Sequence, residues 1–583
     1  MSQLETKQSW LERYHLWLQQ DGIQQDLREE LAGIQNQPDE IEDRFYKDIE
    51  FGTAGIRGVI GAGTNRLNIY TVRKVVSGLA SYILNLGTEA MKRGVAIAYD
   101  SRKYSREFAE EAARVLDSRG IPVFLFEEMA ATPLLSYAIR YFRTAAGIVV
   151  TASHNPPQFN GLKVYDEHGG QITDGIAEKI YAEIQRFTDP LAIHTDGLQK
   201  DRGQGITLVG EEVLKAYTDE VRSLLLNRSV TEQHGKKLRI VYTPLHGTGN
   251  VPVRSILEKS GFSDVHVVEA QAQPDQQFST VKAPNPEEKD VFELALKLAE
   301  EVDADLIMAT DPDADRLGVL VKADGEYKYL SGNQIGVLIL HYLLEQKQAK
   351  GLLPKNGAVL NSIVTSGLGE KIAGKYGLKT VHTLTGFKYI GEKINEYKVT
   401  GDHTFVFGYE ESYGYLAGDF VRDKDAVQTT AIVAEMVLVY KEEGKHLFQV
   451  LAEIYREHGY YWEDYLSITF SGASSEKNMR EIMRSFRQNP PEKIAGLPVR
   501  WIEDYESSKK RHVADRRVAS LDLPKSDVLK FVLEDSSWIA IRPSGTEPKM
   551  KVYFSAVSLT SMQEAIEKAD RLKRELKEKV NTI

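Results

Sequence analysis

Residues 305–316 read DLIMATDPDADR, an apolar run that ends in three aspartates at alternate positions. A short apolar stretch bounded by polar residues predicts a buried strand. A charged loop at its carboxyl end predicts a ligand site, because open α/β sheets bind ligands there. The pattern recurs on both sides. Residues 147–150 (GIVV) run into TASHNP at 151–156, and residues 404–407 (TFVF) run into GYEES at 408–412. Each loop closes the same series of strand, helix, strand, helix, strand. In the first unit, strands 95–99, 122–126 and 147–150 alternate with helices 106–118 and 133–142. In the second, strands 238–242, 265–269 and 305–309 alternate with helices 253–259 and 291–301. Pro252 sits just ahead of the first of these helices, where proline is tolerated. In the third, strands 358–363, 380–382 and 404–407 alternate with helices 369–376 and 389–396. Such alternation predicts βαβ units on mostly parallel sheets.

The C-terminal part differs. From about residue 465 the pattern becomes strand, helix and several short strands. Then come the polar loop RPSGTEPK at 542–549, a strand at 551–555 and a charged helix at 561–580. The fold class expected is α/β with four domains. Three are similar mixed βαβ domains, at 1–205, 206–325 and 326–455. An α+β domain at 456–583 ends the chain, and the loops are expected to meet in a central cleft.

A chain of 583 residues is too long for one hydrophobic core. Hydrophobic residues at 42% and charged residues at 27% are ordinary for a globular protein. The formal net charge of −11 argues against nucleic acid or an anionic membrane as partner. The absence of cysteine excludes disulfides and thiolate metal sites and fits a reducing cytoplasm. Residues 1–21 lack the apolar core of a signal peptide, and the longest apolar runs, at 336–340 and 437–440, fall far below membrane-spanning length. A cytoplasmic location is expected. The sequence carries no signal of oligomeric state.

Four loops carry chemistry. Asp311, Asp313 and Asp315 lie at i, i+2 and i+4, so their carboxylates can share one side of a turning loop. Three carboxylates there repel unless a cation neutralises them, and oxygen ligands suit Mg²⁺. The plainer alternative is an exposed acidic turn. An EF-hand fits worse, since the apolar run 317–321 follows Arg316 at once. Ser153 lies in TASHNP beside His154. A serine hydroxyl needs a base or a phosphoryl group to react, and the loop is not a GxSxG elbow. NGLK at 160–163 brings Lys163 near the same loop. In GYEES, Glu410 and Ser412 can accept hydrogen bonds from sugar hydroxyls, although alone a polar strand-end turn is the preferred reading. RPSGTEPK joins Arg542 and Lys549 to Ser544, Gly545 and Thr546. That set offers a cationic fork, hydroxyls and open backbone N–H groups for phosphate, without the order of a Walker loop.

Taken together and in this order, the four loops resemble those of the α-D-phosphohexomutase family. TASHNP is similar to its phosphoserine loop and DPDADR to its DGDGDR-type metal loop. GYEES is similar to its sugar loop and RPSGTEPK to its phosphate loop. FGTAGIRG at 51–58, with Arg57, resembles its N-terminal cleft segment. Residues 100–102 (DSR) resemble a strand-end loop of its first domain. TGFK at 385–388, with Thr385, Gly386 and Lys388, resembles its third-domain loop. RDKD at 422–425 resembles a segment that carries a lysine, here Lys424. Two departures stand out: Pro312 and Ala314 replace the glycines common in the metal loop, and Tyr409 precedes the EES core. That core and the entry segment look most like the bacterial phosphoglucomutase branch, which has phosphopentomutases as neighbours.

The resemblance implies reversible conversion of glucose 1-phosphate to glucose 6-phosphate through phospho-Ser153 and glucose 1,6-bisphosphate. It implies Mg²⁺ at Asp311, Asp313, Asp315 and Ser153. Arg57, His154 and Arg316 would assist the transferring group, with Lys163 and then Lys424 as acid/base partners. Glu410, Ser412, Thr385, Gly386 and Lys388 would bind sugar. Arg542, Ser544, Gly545, Thr546 and Lys549 would bind the phosphate that does not react. Pentose and mannose phosphates are the alternative substrates. A phosphatase and a silent phosphosugar sensor are the alternatives of other classes.

Overall fold

In a computed structural model, residues 3–193, 195, 205–470, 475–543 and 549–582 are described. The chain forms two compact units. One comprises Met1–Leu330, Ile390–Thr400 and Tyr413–Val439, the other Ser331–Tyr389, Gly401–Ser412 and Tyr440–Ile583.

The first unit holds two mixed sheets. Strands Gly55–Val59 (β1), Val95–Tyr99 (β2), Val123–Phe126 (β3), Ala146–Val150 (β4), Phe159–Asp166 (β5) and Ile206–Val209 (β6) are ordered β1-β5-β4-β2-β3-β6. β4, β2, β3 and β6 run parallel, and the β1–β5 pair adds an antiparallel edge. Every residue of β2 and β4 is buried, which is why both read as unbroken apolar runs. The second sheet orders Ile240–Thr243 (β7), Val265–Val267 (β8), Leu306–Thr310 (β9), Leu317–Ala323 (β10) and Glu326–Leu330 (β11) as β11-β10-β9-β7-β8. Three helices, Gln3–Gln19, Gln25–Gly33 and Pro38–Phe45, precede all of this. They pack Trp10, Tyr14, Trp17, Leu27, Leu31 and Phe45 into a separate apolar cluster.

In the second unit, Gly357–Ser362 (β12), Lys379–Thr383 (β13) and Thr404–Glu410 (β14) form a parallel core in the order β13-β12-β14. The short strand Gly414–Leu416 (β15) follows in sequence and belongs to the first unit. The C-terminal sheet is antiparallel. It comprises Tyr460–Thr469 (β16), Lys493–Ile494 (β17), Leu497–Asp504 (β18), Lys509–His512 (β19), Val518–Ser520 (β20), Leu529–Leu533 (β21), Trp538–Pro543 (β22) and Lys549–Ser558 (β23). Helices Ser475–Gln488 and Met562–Thr582 contribute Met483, Phe486, Leu572 and Leu576 to its core.

Several expected boundaries are corrected. Pro252 lies inside its helix, Asn250–Lys259, at the third residue, where its missing N–H leaves no bond unmade. The strand expected at 265–269 ends at Val267, and Glu269 opens the short helix Glu269–Ala272. β14 continues to Glu410, so Gly408, Tyr409 and Glu410 belong to the strand, not to a loop after it. β16 begins at Tyr460, ahead of the expected 465.

Candidate active site

The serine loop leaves β4 and turns sharply. Ser153 has φ +52°, in the left-handed region that a side chain disfavours. The loop is pinned from below. The Ser153 N–H donates to Thr151 Oγ1 at 2.7 Å, and that hydroxyl donates to Asp100 Oδ2 at 2.6 Å. Asp100, at the end of β2, also accepts from Ser105 Oγ at 2.7 Å. Ser153 Oγ points the other way and donates to Asp311 Oδ2 at 2.7 Å. His154 Nδ1 is 3.1 Å from Ser153 Oγ, and Arg57 Nη1 donates to Asn155 Oδ1 at 3.2 Å. Burial, with Arg316 and Arg57 nearby, pushes the His154 imidazole well below its usual range.

The metal loop is folded by its own first aspartate. Asp311 Oδ1 accepts the N–H groups of Asp315 and Arg316, both at 3.0 Å. The resulting turn places Ala314 at φ +54°, which accounts for the glycine usual at that position. Thr132, from the first sheet's side, donates its N–H to Asp313 O at 2.8 Å and its hydroxyl to Asp313 Oδ2 at 3.0 Å. All three aspartates are buried, and one oxygen from each lies within 4.8 Å of the others. Asp313 Oδ1 and Asp315 Oδ1 are buried without a hydrogen-bond partner. Oxygen donors left over in a buried acidic cluster fit a hard divalent cation, so this group can hold a metal. Burial and the charges of Asp313 and Asp315 push the Asp311 carboxyl well above its usual range. Burial acts in the same direction on Asp313, but Lys163, with Asp311 and Lys424, outweighs it and holds that carboxyl well below its usual range.

Two lysines face this cluster. Lys163 projects from β5, whose register with β1 pairs it with Gly55 and sets Arg57 opposite Gly161. Its Nζ lies 2.7 Å from Asp313 Oδ2 and 3.4 Å from Asp315 Oδ2. Burial lowers its pKa, yet Asp313 and Asp315 outweigh that and raise it. Lys424 Nζ lies 3.2 Å from Asp315 Oδ2 and 3.0 Å from Asp423 Oδ1. The RDKD segment is anchored on each side of this lysine. Asp423 accepts from Tyr165 OH and Gln171 Nε2, both at 2.8 Å. Asp425 accepts from Tyr217 OH at 2.7 and 2.8 Å, and burial pushes its carboxyl up to about 6. Arg316 pairs with Glu287, and its Nε lies 4.0 Å from Asp315 Oδ1.

The first unit thus brings together Ser153, His154, Arg57, Lys163, Asp311, Asp313, Asp315, Arg316 and Lys424. In the second unit, Glu410 closes β14 and accepts the Gly386 N–H at 2.7 Å. Gly386 has φ +114°, so the TGFK turn between Thr385 and Lys388 needs its glycine. Ser412 follows two residues after Glu410. Tyr409 is fully buried; a Cβ at Gly369 would lie 2.1 Å from its OH, and one at Gly336 would lie 2.3 Å from its ring. Arg542 and Lys549 stand on β22 and β23. Ser544, Gly545 and Thr546 lie outside the described residues.

Several residues of these sites escaped the sequence reading. Glu411 accepts from Ser362 Oγ at 3.2 Å and from Thr365 Oγ1 at 3.3 Å. Thr132 reaches the aspartate cluster from a distant stretch of chain, and no local pattern marks it; Asp423 lies in the RDKD segment, which was read only for its lysine. Arg102 had a signal in the DSR stretch, without a role attached to it.

Four family models match the chain in order. They are phosphoglucomutase/phosphomannomutase α/β/α domain I over residues 48–190, domain II over 215–325, domain III over 331–458 and the C-terminal domain over 503–571. A phosphoglucomutase of Staphylococcus haemolyticus is 39% identical over 515 residues, 88% of this chain and 91% of its own. One of Staphylococcus aureus is 38% identical over 551 residues, 94% and 95% of the two chains. Among solved structures, the open form of the Paramecium phosphoprotein pp63/parafusin, described as a phosphoglucomutase, superposes with a TM-score of 0.66. It covers 92% of this chain and 95% of its own; at 18% identity the likeness speaks to the fold.

Proposed function

The chain belongs to the phosphoglucomutase/phosphomannomutase family and has its four-domain α/β architecture, and on that premise we propose that it interconverts α-D-glucose 1-phosphate and glucose 6-phosphate. The observation that carries this reading is the hydroxyl of Ser153, held 2.7 Å from Asp311 at the mouth of a buried aspartate cluster. Phospho-Ser153 gives its phosphoryl group to the free sugar hydroxyl. The O–P bond to Ser153 breaks, a bond to the sugar oxygen forms, and the hydroxyl proton ends on Ser153 Oγ. The glucose 1,6-bisphosphate so formed then returns its other phosphoryl group to Ser153, and the proton goes back to the sugar oxygen it leaves.

Asp311, Asp313 and Asp315 would hold Mg²⁺ together with an oxygen at Ser153, and the ion supplies charge neutralisation at the transferring phosphoryl group. Arg316, Arg57 and His154 orient that group. Lys163, an ammonium beside Asp313, is proposed to relay the hydroxyl proton, giving its own to Ser153 Oγ and being restored by the proton of the sugar hydroxyl, with Lys424 second. Glu410, Ser412, Thr385, Gly386 and Lys388 are proposed to bind sugar. Arg542, Ser544, Gly545, Thr546 and Lys549 are proposed to bind the phosphate that does not react. Domain limits near residues 205, 325 and 455 and a cytoplasmic location belong to the same proposal.

The test is to supply Mg²⁺, a trace of bisphosphate and glucose, mannose or ribose 1-phosphate in turn. Glucose 6-phosphate should form fastest. Faster isomerisation of ribose or mannose phosphate reassigns the sugar, and release of inorganic phosphate without isomerisation makes the protein a phosphatase.

A further inference from the structure

Arg102 spends its guanidinium on the backbone of the serine loop. The side chain is 0% exposed. Nη1 donates to Pro156 O at 3.0 Å and Phe159 O at 3.1 Å. Nη2 donates to Ser153 O at 2.5 Å and Asn155 O at 2.6 Å. Four carbonyls of one loop therefore converge on two nitrogens. Nε lies 3.3 Å from Asp100 Oδ2, the oxygen that also accepts from Thr151.

A second element covers the guanidinium. The Phe278 ring lies 4.9 Å from it, within cation–π range, and is 0% exposed. Phe278 comes from the connection between β8 and β9 and has φ +48°. Asp275 fixes that turn by accepting from Gln277 N at 2.9 Å and Ser279 N at 2.8 Å. Water is thus kept from the pinned carbonyls.

A left-handed serine persists only where its surroundings over-determine it. We propose that Arg102, covered by Phe278, is the positioning residue that holds the Ser153 loop in its left-handed form for phosphoryl transfer and keeps water from the phosphoserine. The inference rests on the proposed phosphoserine chemistry. Both Nη groups of Arg102 are spent on backbone carbonyls, and its Nε is buried against Asp100. Its planar fork matches diverging carbonyls in a way that a lysine ammonium cannot copy.

The experiment loads wild type and Arg102→Lys with glucose 1,6-bisphosphate and follows two first-order steps of the phosphoenzyme. These are transfer to glucose 1-phosphate in a single turnover and hydrolysis in buffer. First-order constants are independent of how much protein is folded, so a merely structural role leaves them unmoved. Transfer in Arg102→Lys should slow about a hundredfold, the scale of a misplacement near 1 Å, with KM unchanged and faster hydrolysis. A wild type that takes no phosphate on Ser153 refutes the proposed function itself. A wild type that transfers normally, matched by a folded Arg102→Lys, overturns the inference alone. If circular dichroism finds Arg102→Lys unfolded, Phe278→Leu decides. Its transfer should slow about tenfold, and wild-type constants there overturn the inference equally.

Discussion

At the scale of single residues, the proposed nucleophile and the aspartates proposed to hold the metal make the sharpest claims. Ser153→Ala removes the oxygen proposed to carry the phosphoryl group and changes little else, so sustained turnover should vanish. Mass spectrometry of the wild type should find phosphate at residue 153, and full activity in the alanine variant would falsify the covalent route. Asp313→Ala removes a carboxylate held between Thr132 and Lys163 and should weaken metal binding, read directly by calorimetry with Mg²⁺. Both residues were legible in the sequence, because alternate aspartates and a serine after an apolar strand are local patterns. Thr132 was not. It lies 181 residues from Asp313, and a threonine at the start of a helix normally reads as an ordinary cap. The left-handed backbone of Ala314 was foreshadowed only by the glycine it replaces.

Among the strands buried on both faces, several were legible. β2, β4 and β9 are buried at every position, and their apolar runs announce them. The β1–β5 pair was not announced, because its register depends on tertiary pairing across about a hundred residues. The three N-terminal helices were not read, although Trp10, Tyr14 and Trp17 stand at helical spacing among many polar residues. Packing of elements also dictates where Lys424 points. A Cβ at Gly414 would lie 2.2 Å from Lys424 Cδ, so Gly414→Ala must push that side chain aside. We expect Gly414→Ala to lower kcat about tenfold, with the metal affinity of the aspartates retained. Unaltered kcat would remove Lys424 from the proton-transfer role.

On the scale of the whole molecule, pH acts through buried acids in each unit. In the second unit, Glu463 on β16 accepts from Ser366 Oγ and, at 3.3 Å, from Ser555 Oγ. Removal from water pushes its carboxyl from the ordinary 4.5 up to about 7. The folded state therefore holds a proton that the unfolded chain releases. Its contribution to stability is complete below about 4.5 and is lost as pH rises to about 7. Glu463→Gln should flatten that part of the melting-temperature profile, and an unaltered slope would place the titration elsewhere. Tyr409, seated against Gly336 and Gly369, carries a consequence for which substitutions are compatible. Gly369→Ala should be tolerated better beside Tyr409→Phe, which removes the oxygen it would strike, than alone. Small residues at 336 and 369 are therefore what a tyrosine at 409 requires, and a larger residue at either glycine needs a smaller partner at 409.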